Sequence, residues 1–135
     1  MAWWLLKSEP HKYSWDMMVA DGRTHWDGIR NHLAAIHLKA MVVGDKAFFY
    51  HSNEGKEIVG VVEIVRTAYP DPGDAAGRFV MVDVAAVAPV KRAVTLAEMK
   101  ALPELAEFGL IRQSRLSVVP VGEVHYAVIA KMAGL

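Results

Sequence analysis

The stretch Lys46-Ala47-Phe48-Phe49-Tyr50-His51-Ser52-Asn53-Glu54-Gly55-Lys56-Glu57-Ile58-Val59-Gly60-Val61-Val62-Glu63-Ile64-Val65 decides the fold. Its first part is aromatic-rich and its last part is dominated by β-branched residues, the side chains that suit a pleated, half-buried surface. Between them Ser52–Lys56 carries Asn and Gly, which tolerate positive φ, so a hairpin is expected. Gly60 inside the second strand marks a bulge or the bend of a barrel.

Working outward, residues 2 to 7 form a short apolar run broken by Ser8-Glu9-Pro10, which suits a buried strand. Ser14 is placed to cap a short helix that stops near Asp21-Gly22. A second helix is expected from about Gly28 to Ala40, with Leu33, Ile36 and Ala40 as its apolar stripe. Beyond the hairpin, Tyr69-Pro70-Asp71-Pro72-Gly73-Asp74 is a loop by composition, and Phe79 to Val90 reads as a strand. Thr95-x-x-Glu98 is a capping-box pattern ahead of a short helix ending before Pro103. Leu116 to Val119 is expected as the last strand and Glu123 to Met132 as a C-terminal helix. Strands with short helices between them imply an α+β domain, one unit over residues 1–135, whose sheet of about five or six strands curls into a small barrel.

The chain has 135 residues, 53% of them hydrophobic and 22% charged, enough for one substantial core. Fifteen basic and fifteen acidic residues cancel, so no global field is available to hold a polyanion, and any nucleic-acid ligand needs a local patch and a specific pocket. Cysteine is absent, which removes disulfides, thiolate nucleophiles and zinc-thiolate sites and fits a reducing cytoplasm. No signal-peptide pattern and no apolar run of about 20 residues is present, so a cytoplasmic protein without a membrane partner is expected.

Three strings place hydrogen-bonding side chains directly beside aromatic or aliphatic ones: Trp3-Trp4-Leu5-Leu6-Lys7-Ser8-Glu9-Pro10, Trp26-Asp27-Gly28-Ile29-Arg30-Asn31 and Arg112-Gln113-Ser114-Arg115-Leu116-Ser117. A pocket that stacks a flat ring and reads its polar edge needs such groups. Trp26 either forms a wall of that pocket, where stacking one base is worth roughly 1–3 kcal/mol, or plugs the barrel mouth. Trp3 and Trp4 alternate along a strand and are expected to be structural. Lys7, Ser8 and Glu9 offer a cation, a hydroxyl and a carboxylate at a strand end. Arg30, Asn31, His51, Ser52 and Asn53 add donors and acceptors, and Asn can present both to a base edge. Arg112 and Arg115 are spaced to grip a phosphate or to form a solvated connection.

Catalytic signatures are missing. His32 and His37 are five apart rather than an i, i+4 pair, there is no His-Glu-x-x-His, and zinc base deaminases need cysteines. Neither a Gly-x-Ser-x-Gly elbow nor a phosphate-binding Gly-rich loop occurs. The residues point to a non-catalytic binding domain without cofactor or metal. A site built from Glu9, Asp27 and His51 is the enzymatic alternative, and a sensor of a free nucleobase or nucleoside is the other.

Trp4-Leu5-Leu6-Lys7-Ser8-Glu9-Pro10, Trp26-Asp27-Gly28-Ile29-Arg30-Asn31, Met41-Val42-Val43-Gly44-Asp45, Phe49-Tyr50-His51-Ser52-Asn53, Ile58-Val59-Gly60, Tyr69-Pro70-Asp71-Pro72 and Arg115-Leu116-Ser117-Val118 together resemble the EVE domain family. The resemblance spans nearly the whole chain. It implies a PUA-like fold similar to YTH domains, and a partner nucleic acid, DNA or RNA, carrying a modified base, with modified cytosine in DNA foremost. By that likeness Trp26 is a cage wall, Lys7, Ser8, Glu9, Asn31, His51, Ser52 and Asn53 contact the base, and Arg30, Arg112 and Arg115 meet phosphate. Two departures stand out. The loop after Pro72 is short, and His32-Leu33-Ala34-Ala35 replaces an aromatic-Gln-Ala-Arg pattern, which removes an arginine from the phosphate footprint.

Overall fold

A computed structural model describes the whole chain, Met1–Leu135. In chain order the elements are β1 (Trp3–Ser8), α1 (Trp15–Asp21), β2 (Arg23–Trp26), α2 (His32–Ala40), β3 (Lys46–His51), β4 (Glu57–Pro70) and β5 (Val80–Thr95). They are followed by α3 (Leu96–Lys100), a 3₁₀ turn at Pro103–Leu105, α4 (Gly109–Arg112), β6 (Val118–Val121) and α5 (Glu123–Ala133). The six strands form one mixed sheet in the order β2-β5-β4-β3-β1-β6. β1 runs parallel to β3, with Trp3 opposite Lys46 and Ser8 opposite His51, and the remaining pairs are antiparallel. The parallel pair requires a long crossover, and residues 9–45 supply it with α1, β2 and α2.

The register between β4 and β5 slips at four places, and such irregularities bend the strands and add twist. The long β4 and β5 therefore wrap the sheet around the core, as the barrel expectation requires. The edge strands β2 and β6 do not pair with each other, so the curl stays open. Phe48 and Phe49 lie at its centre with no exposure. The Trp3–Trp4 alternation divides the pair. Trp3 packs against Phe48 and Tyr126 at ring distances of 4.8 and 4.5 Å, while Trp4 turns the other way and its Nε1 donates to buried Asp45 at 3.1 Å.

Local signals explain most boundaries. Ser14 accepts from the Met17 amide and caps α1, and Thr95 with Glu98 forms the complete capping box of α3. Five expectations are corrected. The second helix begins at His32 rather than near Gly28, because Gly28 sits at φ +75° and Asn31 caps the Ala34 amide at 2.9 Å. Its buried face is Ala34, Ala35 and Leu38, whereas Leu33 and Ile36 are exposed: the alanines, not the larger residues, sit where the helix meets the sheet. β2 was not expected at all, since Arg23-Thr24-His25-Trp26 has little apolar pattern and owes its extension to pairing with Val82–Ala85 of β5. β5 also runs five residues past Val90, and the last strand lies two residues later than expected.

Candidate nucleic-acid interface

Where the sheet fails to close, the end of β1 and the edge strand β2 flank a cleft of about 300 Å³. Its apolar lining is Tyr13, Trp26 and Ile29. The Tyr13 and Trp26 rings stand nearly perpendicular, 80° apart with centroids 6.4 Å apart. A flat ring entering the cleft can therefore lie on one and meet the edge of the other. Trp26 is only 7% exposed and also packs edge-on against Phe49 at 5.6 Å, so it is both cleft wall and core. Tyr13 presents the larger accessible surface of the two, and its hydroxyl donates to Asp21 at 2.7 Å.

The polar lining comes from Lys7, Ser8, Glu9 and Lys12 on one side and Thr24, His25 and Asp27 on the other. Ser8 donates its hydroxyl proton to the Tyr13 carbonyl, which leaves its oxygen as an acceptor. Glu9 is paired with Lys12 at 3.0 Å, and Asp27 is exposed with no protein partner. Burial lowers the pKa of Lys7, whose ammonium donates to the Ser114 carbonyl at 2.8 Å. Acceptors outnumber donors along this lining, so the cleft suits a ligand edge that donates.

Two buried carboxylates brace the site. Asp71, 3% exposed, accepts from the Gly28 amide at 2.9 Å, the Gly73 amide at 2.8 Å and Arg30 Nη1 at 3.0 Å. These bonds, led by that of Gly28, outweigh burial and lower its pKa. They lock the Trp26–Asn31 segment to the loop after Pro70. Behind His25, Asp83 is 3% exposed and is reached by Arg23, His25 and Tyr69. Burial alone raises the Asp83 pKa, but the bonds from His25, Tyr69 and Arg23 overcome it and hold the group at about 2.

That shift has a consequence for stability. The folded pKa lies below the ordinary 3.8, so the Asp83 contribution is complete above about pH 5 and is lost as the pH falls toward 2. Urea midpoints measured from pH 6 down to about pH 2.5 are expected to fall steeply over the last interval. Asp83→Asn is expected to start about 2 kcal/mol lower at pH 6 and to fall less. Parallel curves for the two proteins would contradict this.

A second, shallower cleft of about 360 Å³ is lined by Asn31, Leu33 and the Arg112–Leu116 segment. The Lys7–Ser114 hydrogen bond ties that segment to the first cleft. Arg112 is held by both Glu107 oxygens at 3.0 Å, whereas Arg115 is exposed with no carboxylate partner. Of the residues singled out in the sequence, Lys7, Ser8, Glu9 and Trp26 line the first cleft, and Asn31, Arg112 and Arg115 the second. Arg30 lines neither: its Nη1 is spent on Asp71 and the Ile29 carbonyl. His51 lies outside both clefts too, because its Nε2 accepts from the Trp15 amide at 3.0 Å and closes the start of α1. Ser52 and Asn53 belong to the β3–β4 turn, where Ser52 donates its amide to the Ser8 carbonyl at 2.9 Å and Asn53 takes φ +72°. Sequence reasoning missed Lys12, Tyr13, Thr24, His25 and Ile29, and named Asp27 only for the enzymatic alternative. Those on or beside β2 follow once Arg23–Trp26 is recognised as a strand, and Tyr13 sits directly before a helix cap. No group of three or more His, Asp or Glu side chains is placed to hold a metal ion.

An open six-stranded sheet with an aromatic, acceptor-rich cleft at its seam defines a PUA-like ligand-binding domain. The chain belongs to the EVE domain family, whose model matches residues 2–132. A solved protein from Rhodopseudomonas palustris is 55% identical and superimposes with a TM-score of 0.93 over 99% of this chain and 94% of that one. The crystal structure of human thymocyte nuclear protein 1 in complex with 5-methylcytosine-containing DNA is 31% identical, with a TM-score of 0.91 over 100% of this chain and 99% of that one. Thymocyte nuclear protein 1 of Gallus gallus is 36% identical over 91% of this chain, which spans 65% of the length of that relative.

Proposed function

We propose that this chain is a non-catalytic DNA-binding domain that takes a modified cytosine, extruded from the base stack, into the cleft between β1 and β2. The observation that carries this reading is the human relative in complex with 5-methylcytosine-containing DNA, a chain that this one matches over its full length. The chemistry of the cleft agrees. The base stacks against Tyr13 and the exposed part of Trp26, and its amino edge meets an acceptor-rich lining that includes Ser8 and Glu9. Lys7 and the unpaired Arg115 carry the phosphate contacts, with Arg112 and Asn31 beside them in the second cleft. Extrusion costs a few kcal/mol, which stacking and edge contacts together must exceed.

The test is titration with matched oligonucleotides carrying cytosine, 5-methylcytosine, 5-hydroxymethylcytosine or N6-methyladenine, followed by tryptophan fluorescence at two salt concentrations. The 5-methylcytosine strand is expected to bind tightest. A small phosphate footprint predicts a shallow decline with salt, a slope of about −1 to −3 on logarithmic axes. Equal affinity for all four strands would overturn the reading. The zero net charge and the commitment of Arg30 and Arg112 to carboxylates favour a second reading, a receptor for a free modified nucleoside. In that case the nucleoside alone saturates the fluorescence change and salt has no effect.

A further inference from the structure

A reader of 5-methylcytosine faces a specific competitor. Thymine carries the same C5 methyl group and is abundant in all DNA, and the two bases differ at position 4, where cytosine has a donor amine and thymine an acceptor oxygen. Methyl contacts and stacking cannot separate them. Discrimination needs an acceptor fixed at that edge, which attracts the amine and opposes the oxygen.

His25 lines the cleft and is held from behind. Its Nδ1 lies 2.9 Å from Asp83 Oδ1 and 2.9 Å from the Tyr69 hydroxyl oxygen. Tyr69 donates its own proton to Asp83 Oδ1, and Arg23 donates to Oδ2 at 3.1 Å. An ionised carboxylate accepts only, and the Tyr69 proton is already used, so the proton between His25 and this cluster belongs to Nδ1. In the neutral imidazole Nε2 is then an acceptor, and it has no partner in the protein. The Arg66 guanidinium covers the Tyr69 ring at 3.6 Å and completes the brace. A four-residue network around a carboxylate that is 3% exposed thus fixes one tautomer of one residue at the mouth of the cleft.

Resting on the proposed function, we infer that His25 is the residue that rejects thymine, its Nε2 accepting the 4-amino group of the modified cytosine, with Asp83 as the positioning residue that fixes its tautomer. The other unpaired acceptor on this side, Asp27, is exposed and has no such brace. The side chain of His25 is 65% exposed, so replacing it leaves the core intact.

The experiment uses the full chain and one duplex carrying 5-methylcytosine, thymine or cytosine opposite an abasic site, so that base pairing does not bias extrusion. Wild-type protein is expected to prefer 5-methylcytosine over thymine by tenfold or more. In His25→Ala that ratio is expected to shrink about tenfold, with the loss on the 5-methylcytosine side. His25→Gln, whose amide presents either a donor or an acceptor, is expected to retain affinity for both strands and still lose the ratio. Asp83→Asn is expected to narrow the ratio while the preference for 5-methylcytosine over cytosine, which does not depend on position 4, stays unchanged. A wild-type preference for 5-methylcytosine over thymine that survives in His25→Ala and His25→Gln would overturn the role of His25 and leave the proposed function standing. Wild-type protein that does not distinguish 5-methylcytosine from cytosine would overturn the proposed function itself and this inference with it.

Discussion

Trp26→Ala is expected to lower the unfolding free energy by about 3–5 kcal/mol, the usual cost of truncating a buried aromatic residue. Trp26 is 7% exposed, belongs to the main core and meets Phe49 and Tyr13 edge-on. A domain of this size has a total stability of only about 5–15 kcal/mol. The alanine variant is therefore expected to lose base binding partly because the wall of the cleft is no longer held, and binding data from it alone do not measure stacking. Trp26→Phe separates the effects: it keeps an aromatic ring against Phe49 and sacrifices part of the surface proposed to stack on the base. Urea unfolding and affinity for the 5-methylcytosine strand, measured on the same samples, check both points. The phenylalanine variant is expected to keep most of its stability and to bind about tenfold more weakly. An alanine variant that unfolds at the wild-type midpoint would show that Trp26 carries no core weight.

What was legible in the sequence is what depends on neighbours along the chain. The Phe48-Phe49-Tyr50 run, the β-branched run from Ile58 and the Thr95–Glu98 capping box each contain their own signal, and each forms the expected element. Lys7, Ser8 and Glu9 stood out because polar groups end an apolar strand, and they do face a cleft. Features set by distant partners were not legible. β2 exists because β5 pairs with it, about 60 residues away. His51 has the composition of a ligand contact, yet its nitrogen is spent on the amide of Trp15, a partner 36 residues earlier. Arg30 has the composition of a phosphate contact, yet Asp71 claims it. In α2 the rule that large apolar residues mark the buried face failed, because Ala34 and Ala35 carry the close approach to the sheet and leave Leu33 and Ile36 outside. His25 gave no signal at all, since its meaning lies in Asp83 and Tyr69 behind it.

Gly60→Val is expected to cost at least about 3 kcal/mol, the upper end of the range for overpacked sites. A Cβ at this position would sit 2.5 Å from Trp15 Cη2 and Cζ3 and 2.6 Å from Cδ2, well inside van der Waals contact. Trp15 has little freedom to retreat. It is the first residue of α1, its amide is bonded to His51, and its ring stands edge-on to Phe49 at 5.3 Å. Gly60 itself lies at the β4 bulge, where Phe49 pairs with Gly60 and Tyr50 with Ile58, so the bare backbone is the floor on which the indole rests. The strain is expected to travel, because Trp15, Phe49, Trp26 and Tyr13 form one chain of ring contacts from Gly60 to the cleft. Loss of stability is therefore expected to come with loss of affinity for modified DNA. A double-mutant cycle identifies the cause: in a Trp15→Leu background Gly60→Ala is expected to be nearly neutral, whereas alone it is strongly destabilising. Equal losses in both backgrounds would place the cost in the β4 backbone and cut the proposed link between this bulge and the binding cleft.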